Sequence, residues 1–124
     1  MTAISVLIVE DEPAIAENIA ALLTAKGYTP SAVSSGPEAF ALIRKRKFDL
    51  ILLDIMLPKM SGVDICKLLR ADPSTADAKI IMVTGLDRMA DVEEAFRAGA
   101  NDYLIKPFDS TRLFAKIGKV MASP

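Results

Sequence analysis

The sequence predicts one α/β domain, a doubly wound five-stranded parallel sheet with helices on both faces, in three layers. Short apolar runs alternate five times with helical apolar patterns, which is typical of this class. The run Leu50–Leu53 is apolar throughout, as expected of a central strand covered on both faces. A length of 124 residues suits one domain, so we expect a single unit over residues 1–124.

The first strand is predicted over Ser5–Val9, and the helix after it begins at Pro13, because proline is favoured at the first helical position. Gly27 is suited to ending this helix. Its apolar face is formed by Ile15, Ile19, Leu22 and Leu23. The second strand, Thr29–Val33, is assigned to an edge of the sheet because Pro30 lacks an N–H donor.

The second helix is predicted to open at Ser35–Glu38 and to close at Arg44–Lys47, where cations suit the negative end of the helix dipole. The third strand is predicted over Asp49–Asp54, with a loop over Ile55–Gly62 after it. Ser61 is a candidate cap for the third helix. The buried stripe of that helix is predicted to contain Val63, Cys66, Leu68 and Leu69.

The last strands and helices follow the same alternation. Lys79–Thr84 is predicted as the fourth strand, and Asp87 is a candidate N-cap of the fourth helix. A short fifth strand is predicted over Asp102–Ile105, after which Asp109 or Ser110 caps the last helix. The inner side of that helix is predicted to contain Leu113, Phe114, Ile117 and Val120.

Polar side chains stand where four of these strands end. Glu10 and Asp11 follow the first strand, and Asp54 closes the third. Thr84 closes the fourth strand, and Lys106 follows the fifth. In an open parallel sheet all these positions share one edge, which is the edge where ligands bind. Carboxylates crowded together there would raise at least one pKa or bind a cation.

The ligand set favours a hard cation, because it offers only oxygen atoms and the chain contains no histidine. We therefore expect a small, open Mg²⁺ site that also accepts Mn²⁺. Asp11 and Asp54 are expected to bind the ion directly, and Glu10 through water. A backbone carbonyl at Met56 would complete the protein ligands. Taken singly, each carboxylate is also explained as a helix cap or a solvated loop acid.

Asp54 is the best candidate nucleophile, because a carboxylate can accept a phosphoryl group and form an acyl phosphate. Mg²⁺ and Lys106 would offset charge on the phosphoryl oxygens, and Thr84 would donate a hydrogen bond to one of them. Taken alone, Thr84 is more often a strand-end residue and Lys106 a solvated surface lysine. A cis bond between Lys106 and Pro107 would turn the lysine back over the site.

Composition excludes several classes of protein. Without histidine the chain has no histidine-based catalysis and cannot itself carry a phosphohistidine. A formal charge of −1 argues against direct nucleic-acid binding. There is no recognisable signal peptide, and no apolar run approaches the ~20 residues that cross a bilayer. Cys66, as the single cysteine, fits a reducing compartment, so we expect a cytoplasmic protein without membrane contact.

Several short segments occur in an order that matches a known family. They are Val9–Asp11, Leu53–Pro58, Ser61–Gly62, Val83–Gly85, Gly99–Tyr103 and Lys106–Phe108. With these segments the chain resembles the receiver domain of two-component response regulators, which has a flavodoxin- and CheY-like fold. The resemblance runs from about Ser5 to Val120. It implies the strand order 2-1-3-4-5 and a cis bond before Pro107.

The family resemblance also implies a signalling function. Asp54 would be phosphorylated by a histidine kinase or a histidine phosphotransfer protein, with Glu10 and Asp11 as the acidic metal pair. Thr84 would be the switch hydroxyl, Tyr103 the switch aromatic, and Lys106 the phosphoryl-binding lysine. Such a chain is not a true enzyme, because it only assists its own phosphotransfer and slow dephosphorylation. Met56 offers no side chain to orient an attacking water, so we expect slow self-dephosphorylation.

The predicted output is a change of surface. Phosphorylation adds about −1.5 to −2 charges, which draws Thr84 inward and leaves space for the ring of Tyr103. The surface of the fourth helix, fifth strand and fifth helix would then change and control a downstream protein effector. The charged residues there are Arg88, Asp91, Glu93, Glu94, Arg97, Arg112 and Lys116. They lack the paired pattern of dimerising regulators, which favours a stand-alone relay or a cyclase-type effector and leaves a phosphorylation-dependent homodimer open.

Three other functions share parts of this pattern. A haloacid-dehalogenase-type phosphatase needs a second aspartate two residues after the nucleophile, and Met56 occupies that position. A flavodoxin-type binder needs a phosphate-cradling loop after the first strand, whereas Glu10–Pro13 is acidic and would repel phosphate in the absence of a metal ion. A purely structural interaction domain with vestigial acids stays as the third alternative.

Overall fold

The fold is known from a computed structural model that describes residues 3–122. The strands are β1 (Ser5–Val9), β2 (Thr29–Val33), β3 (Leu50–Leu53), β4 (Lys79–Thr84) and β5 (Asp102–Ile105). The helices are α1 (Pro13–Ala25), α2 (Gly36–Lys45), α3 (Gly62–Ala71), α4 (Met89–Arg97) and α5 (Ser110–Ala122). Residues 1–2 and 123–124 of the predicted single unit lie outside the described range. No helix within that range is long and apolar enough to cross a membrane.

The sheet is parallel throughout, in the order β2-β1-β3-β4-β5, which confirms the predicted topology. β2 is an edge strand, as Pro30 indicated. β3 is shorter than predicted, since its pairing with β1 covers only Leu50–Leu53. Asp49 and Asp54 flank the strand and still donate their N–H groups to the β1 carbonyls of Ser5 and Val9, at 3.0 and 3.1 Å. The carboxylate of Asp49 accepts a hydrogen bond from the Ser5 N–H at 2.8 Å, and Asp54 turns into the loop after the strand.

Alternate residues of the strands pack into two separate hydrophobic cores, one on each face of the sheet. Leu7, Leu53 and Met82 pack beneath α2, α3 and α4, whereas their neighbours Ile8 and Leu52 pack beneath α1 and α5. This division follows from the two-residue period of a strand, which sends successive side chains to opposite faces. Burial on both faces explains why β3 reads as continuously apolar.

Helix caps confirm the predictions for α3 and α5 and correct the one for α4. The hydroxyls of Ser35 and Ser61 accept hydrogen bonds from helix N–H groups, and Asp109 rather than Ser110 accepts from the Arg112 N–H at 2.8 Å. Asp87 was wrongly predicted to cap the fourth helix. The N-cap residue is Arg88, one position later, and no side chain caps that helix end.

The buried stripe of α3 differs from the prediction at one position. Leu68 is 49% exposed, whereas Ile65, which the prediction omitted, is fully buried. Ile65, Cys66 and Leu69 lie on the face toward the sheet, at the three- and four-residue spacing of a helix. Leu68 is one residue from Leu69 and therefore turned about 100° from that face. It projects instead between α2 and α3.

Candidate functional site

The three predicted acids converge at the carboxyl edge of the sheet. Carboxylate oxygens of Glu10, Asp11 and Asp54 lie within 4.8 Å of one another. Glu10 and Asp54 are buried and Asp11 is exposed, so the cluster opens to solvent on one side. The backbone fixes this arrangement, because the Asp54 N–H donates to the carbonyl of Val9 at 3.1 Å, where β1 and β3 end side by side.

Lys106 lies over the same cluster. Its Nζ is 2.5 Å from Glu10 Oε1 and 3.1 Å from Asp54 Oδ2. The Lys106 N–H donates to the carbonyl of Thr84 at 2.8 Å, which attaches the start of the β5–α5 loop to the end of β4. The peptide bond to Pro107 is cis, as predicted. The contact with Glu10 is an addition to the prediction, which places the lysine only against the phosphoryl group.

Both oxygens of Asp54 have protein partners. Oδ2 accepts from Lys106, and Oδ1 accepts from the Met56 N–H at 3.1 Å. The Met56 side chain is 65% exposed and points into solvent, so only the backbone of this residue contacts the acidic cluster. Its carbonyl as a metal ligand stays a prediction.

The electrostatics of the cluster favour a divalent cation. Burial raises the pKa of the Glu10 carboxyl, although the hydrogen bonds from Lys106 and from the Glu12 N–H act in the opposite direction. Burial alone would lower the pKa of the Lys106 ammonium, but its hydrogen bonds to Glu10 and Asp54 raise it overall. Three carboxylates around one ammonium leave two negative charges, and the donors are all oxygen. The residues present therefore fit Mg²⁺.

The backbone between β3 and α3 has special conformations at Lys59 and at Gly62, the first residue of α3, neither of which has a role in the prediction from sequence. A Cβ atom on Gly62 would lie 2.2 Å from the carbonyl oxygen of Asp54, so only glycine allows the loop to fold back this closely. The Gly62 N–H donates to the carbonyl of Ile55 at 2.8 Å. Lys59 has a positive φ of 71°, which is uncommon outside glycine. The Ser61–Gly62 pair at a helix start was the available signal.

Thr84 and Tyr103 meet at a residue that the prediction missed. The Thr84 hydroxyl is fully buried and accepts from the Leu86 N–H at 3.4 Å. The hydroxyl of Tyr103 donates to the carbonyl of the same Leu86. Tyr103 is buried in this conformation, and its movement on phosphorylation stays a prediction. Leu86 is an ordinary leucine in sequence, and nothing there marked it.

Comparison with known proteins gives a consistent result. The family model for the response regulator receiver domain matches residues 6–118. The sensory transduction protein RegX3 of Mycolicibacterium smegmatis is 44% identical over 117 residues, which cover 94% of this chain and 50% of RegX3. The DNA-binding response regulator MtrA of the same organism is 37% identical over 112 residues, covering 90% of this chain and 48% of MtrA. The chain thus spans about half the length of these curated relatives.

A solved structure resembles the whole fold. The receiver domain of the sensor histidine kinase PA1611 from Pseudomonas aeruginosa superposes with a TM-score of 0.90 at 31% identity. The match covers 98% of this chain and all of that one. That crystal structure holds a magnesium ion coordinated in its active-site cleft.

Proposed function

The chain belongs to the family of response regulator receiver domains of two-component systems, and from that premise we propose that Asp54 is its phosphoacceptor. The proposed phosphoryl donor is a histidine kinase or a histidine phosphotransfer protein, which membership of a two-component family implies. The observation that carries the proposal is the convergence of Glu10, Asp11, Asp54 and Lys106 at one edge of the sheet.

Each residue of the cluster has a distinct part in this proposal. One oxygen of Asp54 attacks phosphorus, the bond from phosphorus to the donor nitrogen breaks, and an acyl phosphate forms on Asp54. Lys106 neutralises charge on the transferred group, and Thr84 donates its hydroxyl to it. Glu10, Asp11, Asp54 and the carbonyl of Met56 are the ligands we propose for Mg²⁺, with Mn²⁺ as a substitute. The ion, when bound, supplies positive charge to the phosphoryl oxygens.

Acetyl phosphate tests this assignment directly. Incubated with Mg²⁺ and acetyl phosphate, the wild-type chain should gain one acid-stable, base-labile phosphoryl group, detected by intact mass. Asp54→Asn should abolish the gain. Asp77→Asn is the matched control, since Asp77 is exposed and remote from the cluster; it should leave the gain unchanged. Phosphorylation of Asp54→Asn to the same extent as the wild type would contradict the assignment.

The phosphorylated form should decay slowly, because the exposed Met56 side chain cannot hold a water for attack on phosphorus. Replacing Met56 with Asn or Glu, which can hydrogen-bond a water, should change the decay rate of the acyl phosphate. The chain is then a switch that assists its own chemistry rather than an enzyme. An unchanged decay rate in both variants would contradict this account.

The output proposed is a protein effector that reads the surface of α4, β5 and α5. The name of MtrA describes a DNA-binding regulator, which supports an effector of that class over the stand-alone relay or cyclase-type output. Several charges on this surface pair within the chain, as Arg88 does with Asp91 and Lys116 with Asp102.

We further propose a cytoplasmic location, consistent with the single buried cysteine. Sedimentation with and without beryllofluoride tests for a phosphorylation-dependent homodimer.

A further inference from the structure

A groove runs along α2, opposite α3 and the loop that follows α3, away from the acidic cluster. It consists of two adjoining cavities of about 600 and 460 Å³, which share Ile43, Arg44, Ser74 and Thr75. The larger cavity reaches Asp49 and Lys79, at the amino ends of β3 and β4. Asp54 and Thr84 stand at the opposite ends of these strands. We call these two cavities together the α2–α3 groove.

The floor of the α2–α3 groove is apolar. Phe40, Met60 and Leu69 line the smaller cavity, and Phe48 lines the larger one. Leu68 lines the smaller cavity while 49% exposed. An exposed leucine beside a concave apolar surface is a typical feature of a docking site.

One rim of the groove is strongly cationic. The segment Arg44–Lys47 lines the larger cavity and is exposed at every position. Arg46 bonds the Ser31 hydroxyl and lies over the ring of Phe48, 4.7 Å from its centroid. Lys45 and Lys47, by contrast, have no ion-pair partner among residues 3–122. The opposite rim carries Asp72 and Asp77, so the groove has a positive side and a negative side.

We propose that the α2–α3 groove docks an acidic amphipathic segment of a partner protein. Apolar side chains of that segment cover Phe40, Leu68 and Leu69, and its carboxylates pair with Lys45 and Lys47. Charge complementarity selects an acidic partner, because two unpaired cations adjoin the apolar floor. A nucleic acid or free phosphate would pair with the cations but leave that floor in water. The proposal is independent of the phosphoacceptor assignment, because Asp54 is not among the groove residues.

Binding of designed peptides to the whole chain tests the proposal. The probe is a synthetic amphipathic peptide of about 15 residues with leucines on one face and glutamates on the other. A matched peptide carries lysine in place of every glutamate. Titration into ¹⁵N-labelled protein should shift the amide signals of residues 40–49 and 65–75 with the acidic peptide and not with the basic one.

Charge-reversal variants then separate specific pairing from general attraction. Lys45→Glu combined with Lys47→Glu should weaken the acidic peptide about tenfold. Arg97→Glu combined with Arg112→Glu makes the same change of net charge at exposed residues elsewhere, and should alter affinity less than about twofold. Leu68→Ala should weaken binding without unfolding the chain, because Leu68 is already half exposed. Asp54→Asn should bind as the wild type does.

Three outcomes would overturn the proposal. The first is equal binding of the acidic and basic peptides, and the second is amide shifts outside the groove. The third is a short DNA duplex displacing the acidic peptide from the same residues, which would make the groove a nucleic-acid surface. Peptide binding and phosphorylation are measured separately, and Asp54→Asn is included in both experiments. A failure of peptide binding therefore leaves the phosphoacceptor assignment intact, and a failure of phosphorylation leaves the peptide-binding result intact.

Discussion

Lys106 contributes to the acidic cluster before any phosphoryl group arrives. Its ammonium contacts Glu10 and Asp54, which are both buried and both close to Asp11. Without Lys106, three carboxylates would face one another with no counter-charge. The lysine therefore reduces the electrostatic repulsion within the cluster when no metal ion is bound. The same position allows it to contact a group attached to Asp54. Under the proposed function, this one residue would serve both the stability and the chemistry of the site.

Replacing Lys106 with methionine should lower the free energy of unfolding by about 1–3 kcal/mol, because buried carboxylates lose their partner. Urea unfolding without metal measures this loss, and adding Mg²⁺ should recover part of it by supplying the missing charge. Lys47→Met, at an exposed lysine without an ion-pair partner in residues 3–122, is the control and should be neutral. An equal loss in both variants would contradict the proposed role.

Tyr103 gives a prediction about pH. Burial, followed by repulsion from nearby carboxylates of Asp91, Asp87 and Asp54, raises its pKa from 10.0 to about 12. Because the folded state favours the neutral phenol, this contribution to stability is complete below pH 10 and is lost as pH rises toward 12. Phenolate absorbance in Tyr28→Phe, which leaves one tyrosine, should therefore titrate near 12. Titration at 10 would show that the ring is in water.

At the scale of elements, one arginine near the end of α3 forms hydrogen bonds to several neighbouring segments. Arg70 donates to the carbonyls of Gly99 at 2.9 Å, Ala76 at 3.0 Å and Ala78 at 2.6 Å. It also donates to the side chain of Asn101 at 2.9 Å. The same Asn101 oxygen accepts from the Ile80 N–H at 2.8 Å. The end of α3, the start of β4 and the loop before β5 are thus joined at one point.

Arg70→Ala should lower the free energy of unfolding by about 1–3 kcal/mol, because partly buried carbonyls lose a charged donor. Arg70→Lys should recover little, since an ammonium cannot reach the several acceptors that the planar guanidinium contacts. Arg97→Ala, at an exposed arginine of α4, serves as the control. Denaturant unfolding measures all three variants, and a neutral Arg70→Ala would show that the contacts add no stability.

The sequence predicted the features that follow from hydrophobic periodicity. It missed the features that depend on how neighbouring elements pack. Apolar runs and helix periods located the strands and helices, because burial on a sheet imposes those periods directly. The period could not show that Leu68 would project into a groove, since that depends on how α2 packs beside α3. Nor could it locate the start of α4, because Asp87 is the better cap by residue type whereas Arg88 occupies the N-cap position.

The candidate site was predictable for a similar reason. Strand ends in a parallel sheet share an edge, so Glu10, Asp11 and Asp54 had to approach one another once the strand order was known. Contacts across that edge were not predictable, because they depend on loop conformations. The pairing of Lys106 with Glu10 and the close approach of Gly62 to Asp54 are the main examples.

At the scale of the whole molecule, the two ends of the sheet carry opposite chemistry. The carboxyl edge gathers acids around Asp54, and the amino edge adjoins the basic segment Arg44–Lys47. A net charge of −1 conceals this separation. One end is suited to a cation and a phosphoryl group, and the other to an acidic partner. The central claim concerns the first of these, a metal site shared by the ends of β1 and β3.

Paramagnetic Mn²⁺ tests that claim most directly, because it broadens NMR signals only near the place where it binds. Trace Mn²⁺ added to ¹⁵N-labelled protein should first broaden the amide signals of residues 10–12 and 54–56, and excess Mg²⁺ should reverse the effect. Asp11→Asn and Asp54→Asn should each weaken the broadening. Broadening centred instead on Asp72 and Asp77, or unaffected by either substitution, would contradict a shared metal site.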